Sequence, residues 1–264
     1  MSSIIGLCRF SYPTSSGSGF KSRYLHDLYN ENRLHNRLLC FENLLLPGII
    51  GQTDSNFLLV ILVSSDLPMW CRDRLFALCA GICQVSIFEA PPNLDHQLVC
   101  STAIKSVREE STSVTIEFRI DDDDAIAVDF ISKLRTLQLA AANLGPVVEI
   151  DFPRGYHIFI GPEVSLVESV VPHISCAQGW VLKPGNSKTL FNYHHYNFWR
   201  KGTCISVSNS LMYLRGVHNS NDSQPNTLTN DKAISWKSAS DVLLQRFNVS
   251  AHHIEALERL WRSI

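Results

Sequence analysis

Residues Phe57 to Val63 form an unbroken apolar run, FLLVILV. It covers only about a third of the ~20 residues a membrane-spanning helix needs. A short apolar run between polar flanks reads as a strand buried on both faces, and such strands belong to parallel sheets with helices on each side. The first half repeats this theme. Ile4 to Leu7 and Val85 to Phe88 are short strands. Between and after them, Tyr24 to Ile50 (Leu34, Leu38, Phe41 and Leu45 at helical spacing), Pro68 to Cys83 and His96 to Val107 read as helices. Strands alternating with helices predict βαβ units and an α/β fold with a mostly parallel central sheet flanked by helices. A chain of 264 residues can bury such a core as one domain.

The next strand carries the chemistry. Val114, Ile116, Phe118 and Ile120 alternate with polar residues, and Asp121, Asp122, Asp123 and Asp124 follow at once. Open α/β sheets place ligands beyond the carboxyl ends of their strands. Four adjacent carboxylates repel one another, and a hard divalent cation relieves that repulsion. On an extended chain Asp121 and Asp123, or Asp122 and Asp124, would share a face. An acidic cap on the following helix, about Val128 to Asn143, needs one or two of these acids rather than four. The cluster therefore reads as a site for Mg²⁺ or Mn²⁺.

A strand over Val147 to Asp151 closes the regular half. Beyond it, Pro and Gly punctuate short β-like pieces, Gly216 to Asp231 reads as a loop, and Ala239 to Phe247 and Ala251 to Trp261 read as helices. From Ser169 to Asn221 there is no Asp or Glu, while Lys183, Lys188, Arg200, Lys201 and Arg215 lie there with four histidines. A cationic stretch beside a carboxylate–metal site suits a nucleoside diphosphate, with Arg154, Lys183 or Arg215 on the phosphates. His218, in a polar Gly/Asn loop, is a candidate third metal ligand. The net charge of −2 argues against a general nucleic-acid binder. The eight cysteines include no CxxC pair, and with no basic leader they read as reduced thiols in a cytoplasmic protein. A homo-oligomer is left open.

Several segments carry a resemblance. Gln52-Thr53-Asp54 before the apolar strand, Ser64-Ser65-Asp66 after it, and Phe118 to Ala125 followed by Asp129-Phe130 look like GT-A glycosyltransferases and their DxD region. The chain is similar, over nearly its whole length, to a bacterial rhamnosyltransferase family. The matching pieces are Gly6 to Tyr12, Leu46-Pro47-Gly48, the four-Asp stretch, Ile150 to Tyr156, Arg215 to Asn219 and Asn221-Asp222-Ser223. The resemblance implies a single GT-A (Rossmann-like) domain over 1–264, with a nucleotide-sugar-binding half over 1–150 and an acceptor-binding, C-terminal helical half over 151–264. It implies transfer of a sugar from a nucleotide-diphosphate sugar to a glycan or other hydroxyl acceptor, assisted by Mn²⁺ or Mg²⁺. By position, Arg9, Phe10, Ser11 and Tyr12 would line the nucleotide site and Asp66 would contact base or ribose. Asp123 would lead the metal ligands, with Asp121 and Asp124 beside it and His218 as the C-terminal ligand. An inverting enzyme would need a carboxylate base, for which Asp151 and Asp222 are the available acids.

Two other readings use the same residues. A nucleotidyltransferase acting on sugar phosphates would share the nucleotide, but the loop after the first strand offers only Lys21 and no phosphate cradle. A non-catalytic metal-binding α/β protein would bind the cation without a nucleotide.

Overall fold

The run at 57–63 becomes a strand whose residues from Leu59 to Ser64 are all buried. In a computed structural model, residues 2–15, 25–108, 113–219, 221 and 232–261 are described. In chain order they form β1 (Ser3–Arg9), α1 (Leu25–Leu28), α2 (Glu31–Cys40), α3 (Leu46–Ile50), β2 (Leu58–Ser64), α4 (Met69–Cys79), β3 (Val85–Ala90) and α5 (His96–Lys105). Then come β4 (Thr115–Ile120), β5 (Ala125–Ile126), α6 (Phe130–Ala141), β6 (Val147–Asp151), β7 (Arg154–Phe159), β8 (Ser165–Val170), β9 (Gln178–Leu182) and β10 (Thr203–Ser206). The chain continues through β11 (Tyr213–Val217), β12 (Ile234–Ser235), α7 (Ser240–Phe247) and α8 (Ala251–Trp261). A π-helical stretch, Phe41–Leu45, joins α2 to α3 and keeps the expected apolar stripe buried through Leu45. Asn30 and Asp95 cap α2 and α5 by accepting from the backbone N–H groups of Arg33 and Leu98.

The first sheet has the order β10-β6-β9-β4-β1-β2-β3. All its pairings are parallel except those of β9, which runs against both neighbours. One face buries Cys8, Ile61, Ile116 and Phe118 in the larger core, with residues of α2, α4 and α6. The other buries Leu7, Val60, Leu62 and Trp180, with residues of α5. This is the expected mixed α/β layout.

The stretch after 151, read as irregular, holds a second sheet of order β12-β8-β7-β11-β5. Gly216 and Val217 finish β11, so the loop expected from Gly216 begins later. The halves at 150 and 151 also interleave, because β9 and β10 complete the first sheet. Most important, β4 belongs to the first sheet and β5 to the second. The four aspartates are the crossover between the two.

Candidate functional site

The acid loop is a turn, closed by Asp124 N–H donating to the Asp121 carbonyl at 3.2 Å. A turn replaces the extended chain on which the expected sharing of faces, Asp121 with Asp123 or Asp122 with Asp124, rested. Asp121 is exposed, whereas Asp122, Asp123 and Asp124 are buried. Arg37, from the apolar side of α2, answers this burial. Its Nε donates to Asp122 Oδ2 at 2.9 Å and its Nη1 to Asp123 Oδ2 at 2.9 Å, and Nη2 pairs with Asp122 Oδ1. Asp123 Oδ2 also lies 3.0 Å from His218 Nε2 and accepts from the Asn221 side-chain amide at 2.8 Å. Burial works against the Asp123 charge, but Arg37 and His218 hold its carboxyl well below the ordinary value. Asp124 goes the other way. Burial, with Asp123 and Asp121 beside it, pushes its carboxyl well up, although Arg215 and the Gly216 N–H, 3.0 Å from Oδ1, offset part of that.

The loop is aimed from outside by the Gln52 side chain. Its amide donates to the Gly48 and Ala127 carbonyls, each at 2.8 Å, and its Oε1 accepts from the Ile131 N–H at 3.1 Å. Thr53 N–H donates to the Val128 carbonyl at 2.7 Å, and Asp54 pairs with Arg135 at 2.6 Å. The Gln-Thr-Asp segment therefore braces the chain just after the acid loop.

A cavity of about 360 Å³ opens beside β4 and α5, lined among others by His96, Arg119, Gln178, Trp180 and His195. That volume lies in the range of ligand sites. Arg9, at the end of β1, reaches it with Nη1 3.3 Å from His96 Nδ1. Arg119 Nε is buried without a hydrogen-bond partner. Burial first, and then Arg9 and Arg119, push the His96 imidazole down to about 4. Burial first, and then Arg119, push His195 down to about 3. The cavity wall thus carries the guanidinium of Arg119, with Arg9 against His96, and His96 and His195 are neutral near pH 7. A larger cavity, about 470 Å³, lies by Pro146, Val147 and Thr203, where β6 and β10 begin. Ligands of open α/β sheets bind at the other edge, so the smaller cavity is the relevant one.

The expected site residues fall into groups. Asp121, Asp123, Asp124, Arg215 and His218 come together at the crossover, and Arg9 faces the adjoining cavity. Asp66 is exposed just beyond β2, its backbone N–H donating to Ser64 Oγ at 3.2 Å. Phe10 is instead a core residue, fully buried edge-on against Phe41 at 5.8 Å. Ser11, buried at φ 46°, accepts from Arg33 at 3.0 Å, and the Tyr12 hydroxyl donates to the Pro91 carbonyl. These two hold the loop rather than present groups to the cavity. Lys183 is misplaced by the expectation. Because β9 runs antiparallel, Leu182 lies opposite Thr115, where β4 begins, so Lys183 sits at the edge away from the acid loop. Arg154 pairs with Glu168 across β7 and β8 at 2.7 Å. Asp151 is wholly buried, with Oδ1 accepting from His173 N–H and Oδ2 from the Ser206 hydroxyl, each at 3.0 Å. Both of its oxygens are thus engaged in hydrogen bonds within the fold. Asp222 lies outside the described residues.

Arg37, Arg119, His96, His195 and Asn221 have no assigned role in the sequence reading. Arg37 left a trace there, as a cation on the apolar stripe of Leu34, Leu38 and Phe41, where only a buried counter-ion makes it tolerable. As a donor set, Asp121, Asp123 and His218 offer carboxylate oxygens and an imidazole, but among the described residues the ligand atoms that gather within 4.8 Å of one another are those of Glu149, His173 and Cys204.

The model of the family described as "Putative rhamnosyl transferase" matches residues 3–230. No curated protein matches the sequence. Among solved structures the chain is similar to S. aureus TarS, with 12% identity over 82% of this chain and a TM-score of 0.42. It spans 37% of that chain. It is also similar to S. aureus TarS 1-349 in complex with UDP-GlcNAc, with 10% identity over 99% of this chain and 72% of that one, at a TM-score of 0.47. A similar score, 0.41, relates it to a putative glucose-1-phosphate thymidylyltransferase from Bacillus anthracis in complex with a sucrose, with 8% identity over 99% of this chain and 96% of that one. At these values the likenesses carry no activity across.

Proposed function

The chain belongs to the family described as "Putative rhamnosyl transferase", and from that membership we propose that this glycosyltransferase moves a sugar, rhamnose by the family's description, from a nucleotide-diphosphate donor to a hydroxyl acceptor at the acid-loop crossover. The observation that carries the proposal is the pairing of that loop with the cationic cavity. One exposed carboxylate, Asp121, follows Ile120, whose register partner on β1 is Cys8, so it stands at the sheet edge that carries Arg9 and Arg119.

In this reading Arg9, Arg119 and Arg215 take up the charge of the diphosphate, a role fixed cations perform well in a dry site. Asp66 accepts from a ribose hydroxyl or the base. Asp121, Asp123 and His218 would hold Mn²⁺ or Mg²⁺, which would stabilise the departing diphosphate. The exposed rings of Tyr196 and Trp199 offer faces on which an acceptor sugar stacks. Asp222 would serve as general base if the reaction inverts. No helix among the described residues is long and apolar enough to cross a membrane.

The test is turnover of a nucleotide-sugar panel with Mn²⁺ or Mg²⁺. Release of a nucleoside diphosphate, lost in Asp121→Ala and Asp123→Ala, is the expected result. Release of pyrophosphate from a sugar phosphate and a nucleoside triphosphate would assign the chain to nucleotidyl transfer instead.

A further inference from the structure

A second group of ligating side chains gathers away from the acid loop. β6 and β10 pair in parallel with Cys204 opposite Glu149, so a thiol and a carboxylate stand side by side. His173 reaches them from the turn after β8. Its backbone is left-handed at φ 60°, an uncommon conformation for a residue with a β-carbon. The Asp151 carboxylate pins it there by accepting its N–H at 3.0 Å. The imidazole Nδ1 then lies 2.8 Å from Glu149 Oε1. Ligand atoms of Glu149, His173 and Cys204 all fall within 4.8 Å of one another. The Gln178 amide donates to the same Oε1 at 2.6 Å, and the Trp199 ring stacks over His173 with centroids 6.3 Å apart. Glu149 is wholly buried, and the neighbour left to its Oε2 is the Cys204 thiol, a weak donor outside ordinary hydrogen-bond geometry. A buried carboxylate oxygen so poorly matched is costly, and a cation is the partner that would match it.

We propose that Glu149, His173 and Cys204 form a binding site for a divalent cation of the zinc class. A carboxylate oxygen, an imidazole nitrogen and a thiolate sulfur form the mixed set that Zn²⁺ accepts and that Mg²⁺ does not favour. Around a tetrahedral ion with bonds of about 2.0–2.3 Å the ligand atoms stand roughly 3.5 Å apart, so the trio, which lies within 4.8 Å, closes on the metal while the 2.8 Å contact between His173 and Glu149 opens. Binding sends the Cys204 thiol proton to solvent and forms the sulfur–metal bond, with no change of oxidation state. Gln178 and Asp151 orient the ligands from behind, as partners of metal ligands commonly do. Three protein donors leave the fourth position for water or a substrate group. The site differs in donors and in place from the acid loop, and it stands whether or not the chain transfers a sugar.

The experiment is titration of the full, metal-stripped chain with Co²⁺, followed by displacement with Zn²⁺. A near-ultraviolet sulfur-to-cobalt charge-transfer band should grow to saturation at one equivalent and vanish when Zn²⁺ is added. Cys204→Ser should abolish the band, while Cys83→Ser, at an exposed cysteine, and Asp121→Asn should keep it. Gln178→Ala should weaken cobalt binding about tenfold or more. Absence of the band in the unaltered chain overturns the proposal, and that result does not depend on any variant folding. A band that survives Cys204→Ser, or disappears in Cys83→Ser, overturns it equally.

Discussion

Four neighbouring carboxylates on a free chain would stay in water and apart, and here three of them are buried. The guanidinium of Arg37 makes that arrangement tolerable, gripping Asp122 and Asp123 together. Removing one partner of a buried ion pair leaves an uncompensated charge. Arg37→Ala should therefore lower unfolding stability by about 3–5 kcal/mol in denaturant titrations. Arg37→Lys should restore only part of it, since an ammonium cannot reach both carboxylates with a planar fork. A loss below about 1 kcal/mol, the size of an exposed pair, would contradict this role. Gly216 acts by having no side chain. A β-carbon there would come within 2.2 Å of the Asp123 carbonyl oxygen, so Gly216→Ala must push the loop backbone aside. It should weaken nucleoside diphosphate binding in calorimetry while leaving the far-ultraviolet circular dichroism unchanged. Unaltered binding would show that the loop position does not matter.

Among the elements, β4 does most to organise the site, because it carries Arg119, leads into the acid loop and holds the 190 segment. Glu117, wholly buried on β4, accepts from the Leu190 N–H at 2.7 Å and pairs with Arg108 at 3.3 Å. Burial raises its carboxyl from 4.5 to about 7, despite those two partners. The folded chain thus holds this proton to higher pH than the unfolded chain does. The stability it contributes is fully present below pH 4.5 and lost as the pH rises through about 7, in all about 3 kcal/mol. Glu117→Gln, which mimics the protonated form, should gain stability relative to the unaltered chain between pH 5 and 8. Parallel pH profiles for the two would refute the shift. Much of this level was legible in the sequence. The FLLVILV run, the alternation before the aspartates and the helical stripe through Leu34 and Leu38 each marked a real element. The second sheet was not legible, for a physical reason. Its interior carries a buried polar chain, His157 to Ser169 at 2.8 Å and Ser169 to Tyr213 at 2.9 Å, which breaks the apolar alternation that marks a strand. The antiparallel sense of β9 was equally hidden, and that hid the true edge of Lys183.

For the whole molecule, the near-neutral charge conceals an internal separation. Acidic groups concentrate at the crossover between the sheets, and arginines from β1, β4 and β11 surround it. The positions of Asp121, Asp123, Arg215 and His218 were within reach of sequence reasoning because they lie next to strand ends. Arg37 and Arg119 were not, since only the fold brings α2 and the α5-facing side of β4 to the same loop. The central claim is that this crossover binds a nucleoside diphosphate with a divalent cation. Isothermal titration with UDP, GDP and dTDP, with and without Mn²⁺, tests it most directly. At least one nucleotide should bind with Mn²⁺ and bind more weakly without it, and Asp121→Asn should lower the Mn²⁺-dependent affinity tenfold or more. Binding of none of them, or equal affinity in Asp121→Asn, would contradict the claim.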